Sequence, residues 1–426
     1  MLKLTDYEKK LADGEFGRIK QLAMELQVKY ANALGAEKFV EVSSVAGGLG
    51  ASPFIQEIAE KNGGLEAVFK EFLLNTSDPS PIEPVDTFTL SLINTMDKTC
   101  WKQQNVSETD YKWGIECEDF YKKVGINCYY TCAPYLIGTV PLFGQHLAWM
   151  ESSAISFANS IAGARTNTEG TESAGASAYT GRTPYWGLHL PENRKAKYQI
   201  NVEIPIQDSY DWGTLGYFAG QMFKEQVGVI HGINESYDIS KIKQCTAAAA
   251  ASGGVEMFHI TGKTPEAHTL EFALDNKKPM EVFTYTSKDR QSVREQLCSA
   301  NSPDIDFVLI GCPNSCIEEV WEIVRLLNGR KLSKNTEMWI FLPEPLRHLA
   351  KRQGYDSVLE KAGAKLMSDS CPAVSMVAPD NTRTAVTNSA KQAHYYPGLT
   401  NIATYYYSTK YCIEAAVSGK AQDFKL

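Results

Sequence analysis

The last third of the chain alternates short apolar runs with helical periods, and this alternation limits the fold more than any other feature. Residues 281–286, 307–310, 338–342 and 365–367 read as strands, while 289–297, 317–327 and 345–362 carry helical spacing. Strands separated by helices predict an open, mostly parallel sheet, because a parallel neighbour is reached only through a crossover. In such sheets ligands gather beyond the carboxyl ends of the strands. Two of the loops expected there hold a cysteine followed by proline, Gly311-Cys312-Pro313 and Ser370-Cys371-Pro372.

Upstream, residues 198–206 read as a strand, followed by an amphipathic stretch at 212–226 and a small-residue run at 247–251. These predict a smaller α/β unit. Residues 5–35 carry helical spacing, and 38–42 a short strand that runs into the loop 43–50. That loop, rich in Ser and Gly, could approach a phosphate or help build a different site. Residues 55–61 and 65–72 read as helical pieces. Cys128-Tyr-Tyr-Thr-Cys132 has the look of a strand ending in a cysteine loop, and 152–160 of a small-residue helix. At 426 residues the chain exceeds one core, and the pattern divides it at 1–197, 198–280 and 281–426, all α/β.

Ten cysteines need an explanation. The N-terminus shows no apolar signal region and no window approaches a membrane span, so a cytoplasmic chain with reduced thiols is expected. A net charge of -8, from 42 Lys+Arg against 50 Asp+Glu, argues against a nucleic-acid partner. Cys132 in Thr131-Cys132-Ala133-Pro134, Cys312 and Cys371 are loop thiols that could hold an iron–sulfur cluster with one iron open, or a zinc ion. The CxxxC spacing of Cys128/Cys132 and Cys312/Cys316 departs from zinc-knuckle spacing, and no His pairing lies nearby. A helix start just beyond Cys312 is expected to lower its pKa. Cys316 is expected to pack, and Cys100, Cys117, Cys245, Cys298 and Cys412 read as core thiols. Arg165 and Arg182, with Asn167 and Glu169 in Gly-rich loops, suit an anionic substrate, or serve as loop caps and surface ion pairs.

Several blocks together resemble one family. Thr131-Cys132-Ala-Pro-Tyr-Leu, Ala158-Asn-Ser-Ile-Ala-Gly-Ala-Arg165-Thr-Asn167-Thr-Glu-Gly170, Thr180-Gly-Arg-Thr-Pro-Tyr-Trp-Gly-Leu-His189, Ile310-Gly-Cys-Pro and Ser370-Cys-Pro are similar to aconitase X, and in particular to the large subunit of its two-subunit form. The resemblance runs over essentially the whole chain. It implies a hydro-lyase with three α/β domains, whose fourth, swivelling domain is a separate small subunit that carries the serine base. It implies Cys132, Cys312 and Cys371 as ligands of an iron–sulfur cluster or a single iron, and the presence of all three favours the cluster. Asn159, Arg165, Asn167 and Arg182 would contact substrate, with Asn94, Asp97, Ser389 and Lys391 as further candidates. The family dehydrates cis-3-hydroxy-L-proline or mevalonate 5-phosphate. The want of a basic cluster for phosphate favours the hydroxyproline, and a non-enzymatic iron–sulfur sensor is the reading from another class. No membrane partner is expected.

Overall fold

The computed structural model describes residues 2–47, 53–92 and 96–422, and is α/β throughout. Its largest sheet has five parallel strands in the order Ala364–Ser368, Glu337–Leu342, Phe307–Ile310, Thr384–Thr387, Ala403–Tyr406. Phe307–Ile310 is central and wholly buried, which is why it reads as an unbroken apolar run. Thr384–Thr387 and Ala403–Tyr406 escape the sequence pattern because Thr, Ala and Tyr dominate them. The strand order reverses beside Phe307–Ile310: the chain steps outward through Glu337–Leu342 to Ala364–Ser368, then returns to the other side as Thr384–Thr387.

Residues 281–286 do not join this sheet, which corrects the expected boundary between 280 and 281. Glu281–Tyr285 pairs in parallel with Tyr198–Val202, at the edge of a four-stranded sheet continued by Gly228–His231 and Phe258–Ile260. Helix Ser287–Leu297 likewise packs on Ser209–Phe223 of that unit. An apolar run announces a strand without naming the strand beside it. Ser209–Phe223 is buried nearly all round and so is not the amphipathic helix expected near 212–226. It lies against Ile239–Gly253 at very short range, since a Cβ on Gly216 would stand 2.3 Å from the Cys245 carbonyl oxygen.

The N-terminal region centres on a three-stranded parallel sheet, Thr89–Leu90, Val45–Ala46 and Ala148–Trp149, with an antiparallel pair formed by Phe39–Glu41 and Arg182–Pro184. The single helical stretch expected over 5–35 is two helices, Asp6–Ala12 and Arg18–Ala33. Residues 128–132 form no strand. Asn127 makes one bridge to Leu90, and the chain then turns through Tyr130, at φ 45°, to deliver Cys132. The end of the small-residue loop, 48–50, falls outside the described residues. Among the described residues, no helix is long and apolar enough to cross a membrane.

Candidate active site

A reversal of strand order leaves a crevice at the carboxyl ends of the strands on either side of it. Here a cavity of about 290 Å³ is lined by Cys312 after Phe307–Ile310, by Lys391 and Gln392 after Thr384–Thr387, and by Cys371 after Ala364–Ser368. The N-terminal region closes it with Cys132 and Glu151. Gly311 makes the first of these turns possible: its φ is +109°, and a Cβ there would lie 2.1 Å from the Phe341 carbonyl oxygen. A larger surface cleft of about 660 Å³ beside Tyr198, Gln221 and Phe283 contains no cysteine.

Asn314 couples two of the cysteine loops. Its backbone N–H donates to Cys132 Sγ at 3.2 Å, and its Oδ1 accepts from Thr131 Oγ1 at 3.0 Å and from the Cys132 N–H at 3.3 Å. The lowered pKa expected of Cys312 does not occur; burial pushes its thiol up to about 12. The helix Ile317–Leu327 begins too far on to help. Its N-cap is Cys316, whose N–H is taken by Glu319 Oε2 at 2.9 Å, so Cys316 caps a helix and does not sit within one. Burial also raises Cys132, with Glu151 and the other two thiols adding to the effect. Cys371 is raised by burial against the opposing pull of the Val374 and Ala373 N–H groups.

Buried thiols of this kind ionise when a cation replaces their protons. Three soft sulfurs on one cavity, one of them hydrogen-bonded by Asn314 and another beside the Ser389 hydroxyl, form a donor set suited to iron. The sulfurs surround the cavity without closing on one point: among the described residues, no three His, Cys, Asp or Glu side chains are grouped so as to hold a single ion.

Lys391 Nζ donates to Glu151 Oε1 at 2.5 Å and to Ser152 Oγ at 3.3 Å. Burial alone would lower the Lys391 pKa, but Glu151 and Cys312 more than reverse it. Burial likewise works to raise Glu151, and Lys391 with Ser153 overcomes it, so the pair is ionised and neutral overall. Ser389 caps helix Ala390–Thr400, accepting from the Gln392 N–H at 3.1 Å, and its hydroxyl reaches the Cys312 thiol.

Most of the other expected substrate residues make bonds within the protein, though Arg165 Nε, buried, has no partner among the described residues. Asn159 is fully buried, with Nδ2 on the carbonyls of Thr166 and Glu256 and Oδ1 accepting from the Thr166 N–H and Arg194. Asn167 is bonded to the backbone of Trp186 and Leu188. Arg182 pairs with Glu8 at 3.2 Å and covers the Tyr7 ring, away from the cysteines. Arg165 Nη1 donates to the His189 carbonyl at 3.0 Å, beside a His146–His189 contact, and does not line the cavity. Asn94 lies outside the described residues. Asp97 has no free acceptor to offer a substrate: Oδ1 takes Thr99 and the Cys100 N–H, and Oδ2 takes Arg347 at 2.8 Å and Ser368. Asp97→Ala is therefore expected to lower stability by about 3 kcal/mol with KM unchanged. A raised KM at undiminished stability, measured by urea titration beside steady-state kinetics, would return Asp97 to the substrate.

Glu151, Asn314 and Gln392 were not legible as site residues. Ser389, an N-cap residue, could have placed Gln392 in the first turn of a helix, though not on the site.

Sulfur donors from separate α/β units line a switch-point crevice beside a neutral Lys–Glu pair, the arrangement of an enzyme that holds a soft metal centre at its strand ends. Sequence models of the aconitase X first, second and third domains match residues 1–192, 196–295 and 305–418. The chain is 32% identical over 406 residues to the phosphomevalonate dehydratase large subunit of Methanocaldococcus jannaschii, covering 93% of this chain and 95% of that one. It is 30% identical over 425 residues to the cis-3-hydroxy-L-proline dehydratase of Pseudomonas aeruginosa, covering 98% of this chain and 70% of that one. The crystal structure of Thermococcus kodakaraensis aconitase X in its holo-form superposes with a TM-score of 0.80 at 30% identity, covering 97% of this chain and all of that one. The chain belongs to the aconitase X family, and it is a dehydratase.

Proposed function

We propose that this chain is the iron-holding large subunit of a two-subunit enzyme that dehydrates cis-3-hydroxy-L-proline to a pyrroline-2-carboxylate. The observation that carries the substrate is the charge of the cavity. Lys391 is the one cation among the described residues lining it, and Glu151 already neutralises it. A phosphorylated substrate would bring close to two further negative charges with no partner there.

Dehydration breaks a C–H bond and the neighbouring C–O bond, forms a C=C bond and releases water. An aconitase-like family implies an iron-containing cofactor; Cys132, Cys312 and Cys371 would hold it, and it would supply Lewis acidity toward the departing hydroxyl. Sulfurs spread around a cavity fit a cluster better than one ion. The chain's own residues set the surroundings: Asn314 and Ser389 orient two of the thiols, and Lys391 keeps Glu151 ionised. Pro313, Val374 and Leu399 add apolar surface to the cavity wall. The proton is taken by the small swivel-domain subunit, a partner supported by relatives named as large subunits.

Mevalonate 5-phosphate is the second reading, favoured by the near end-to-end match with phosphomevalonate dehydratase large subunits. Co-expression with the small subunit followed by assays on both compounds decides between them. Turnover of the hydroxyproline alone is expected, with no activity from this chain by itself. Turnover of the phosphate ester alone would replace the first reading with the second.

A further inference from the structure

Gln392 stands on the cavity wall next to Lys391 and is 1% exposed, yet among the described residues neither its Nε2 nor its Oε1 has a hydrogen-bond partner. Its place is fixed by the backbone, because its N–H is bound by Ser389 Oγ in the first turn of Ala390–Thr400. A buried amide unpaired at both ends is costly, and a protein retains one where something else completes it. The side chain presents one donor group and one acceptor side by side.

We propose that Gln392 reads the amino-acid headgroup of the substrate, Nε2 donating to the carboxylate and Oε1 accepting from the ring ammonium. The assignment rests on the hydroxyproline reading and deepens it. An α-amino acid carries its ammonium and carboxylate on one carbon, so a single amide can address both. The headgroup has no net charge, and neither does the adjacent Lys391–Glu151 pair, so binding leaves no charge uncompensated. A hydroxy acid without an ammonium would leave Oε1 unpaired, and a site built around a hydrogen bond rejects the analogue that lacks it.

The test uses the iron-loaded two-subunit enzyme and two unreactive probes, L-proline and cyclopentanecarboxylate, which differ in the ring nitrogen. Calorimetric titration of the unaltered enzyme is expected to favour L-proline by about tenfold or more. In Gln392→Met that preference falls to within about twofold, with iron content and visible absorption unchanged, as a mutant cycle requires when the interaction itself is removed. A preference absent from the unaltered enzyme, or one that survives Gln392→Met, overturns the assignment. Should Gln392→Met not retain iron, Gln392→Glu keeps the shape but repels the carboxylate, and L-proline affinity is then expected to drop about tenfold or more. Undiminished affinity in that variant overturns it equally. The turnover assays judge the substrate separately: an enzyme that acts only on the phosphate ester sinks the hydroxyproline reading, whatever the titrations return.

Discussion

Cys312→Ser is expected to strip the protein of iron and to reduce dehydratase activity by about two orders of magnitude or more, while the fold persists. Changes to groups that merely support metal ligands cost 10–100-fold, and this one removes a ligand. The new hydroxyl occupies less space than the thiol and has the Ser389 hydroxyl within reach, so neither a clash nor an unpaired group results. Circular dichroism and the urea midpoint should match the unaltered chain; iron assay and visible absorption should not. Iron retained at full occupancy would show that other side chains hold it.

Lys243→Met should have the largest effect on stability. Lys243 comes from helix Ile239–Gly253, its side chain is wholly buried, and its Nζ lies 2.9 Å from Glu319 Oε2 and donates to the Pro313 carbonyl at 3.0 Å. One ammonium thus ties the second domain to the residue after Cys312 and to the carboxylate that binds the Cys316 N–H. Burial opposes its charge, and Glu319 followed by Cys316 more than restores it. Losing the ammonium leaves Glu319 buried and alone, at a cost of about 3–5 kcal/mol. Adding Glu319→Gln removes the orphaned charge and keeps an acceptor for the Cys316 N–H, so the double variant should recover more than half of the loss. Urea midpoints of the singles and the double decide this. A double variant no more stable than Lys243→Met would mean that packing, not charge, sets the cost.

The fold was legible where a strand is apolar on both faces and a helix has a wet side. Phe307–Ile310 and Glu337–Leu342 are such strands, and Ile317–Leu327 such a helix. Thr384–Thr387 is just as buried, but its threonines and alanine resemble those of a loop. Glu281–Tyr285 was visible as a strand and placed in the wrong sheet, because period reports the pleat and not the neighbour. At the cavity, Cys132, Cys312, Cys371 and Lys391 could be singled out, Cys312 and Cys371 because Cys-Pro at a strand end is a conspicuous pairing and Cys132 as a loop thiol two residues before a proline. Asn159, Asn167 and Arg182 were read as substrate contacts, yet each is bonded to the protein itself. A polar side chain in a glycine-rich loop looks the same in sequence whether it faces a ligand or a carbonyl of its own chain. Gln392 shows the converse: what marks it is the lack of a partner, which only three dimensions reveal.

That the three sulfurs reach the cavity from distant parts of the chain also orders its assembly in time. Cys132 leaves the ribosome roughly ten seconds or more before Cys371, at synthesis rates of ~5–20 residues per second, and domains fold as they emerge. Asn314, which clasps Cys132, is likewise made long after it. The first thiol must therefore wait for its partner sulfurs, and for Asn314, until the C-terminal sheet has been made. Anything that needs all three sulfurs can be bound only once that sheet has been made, and a chain released before Cys312 offers one of them.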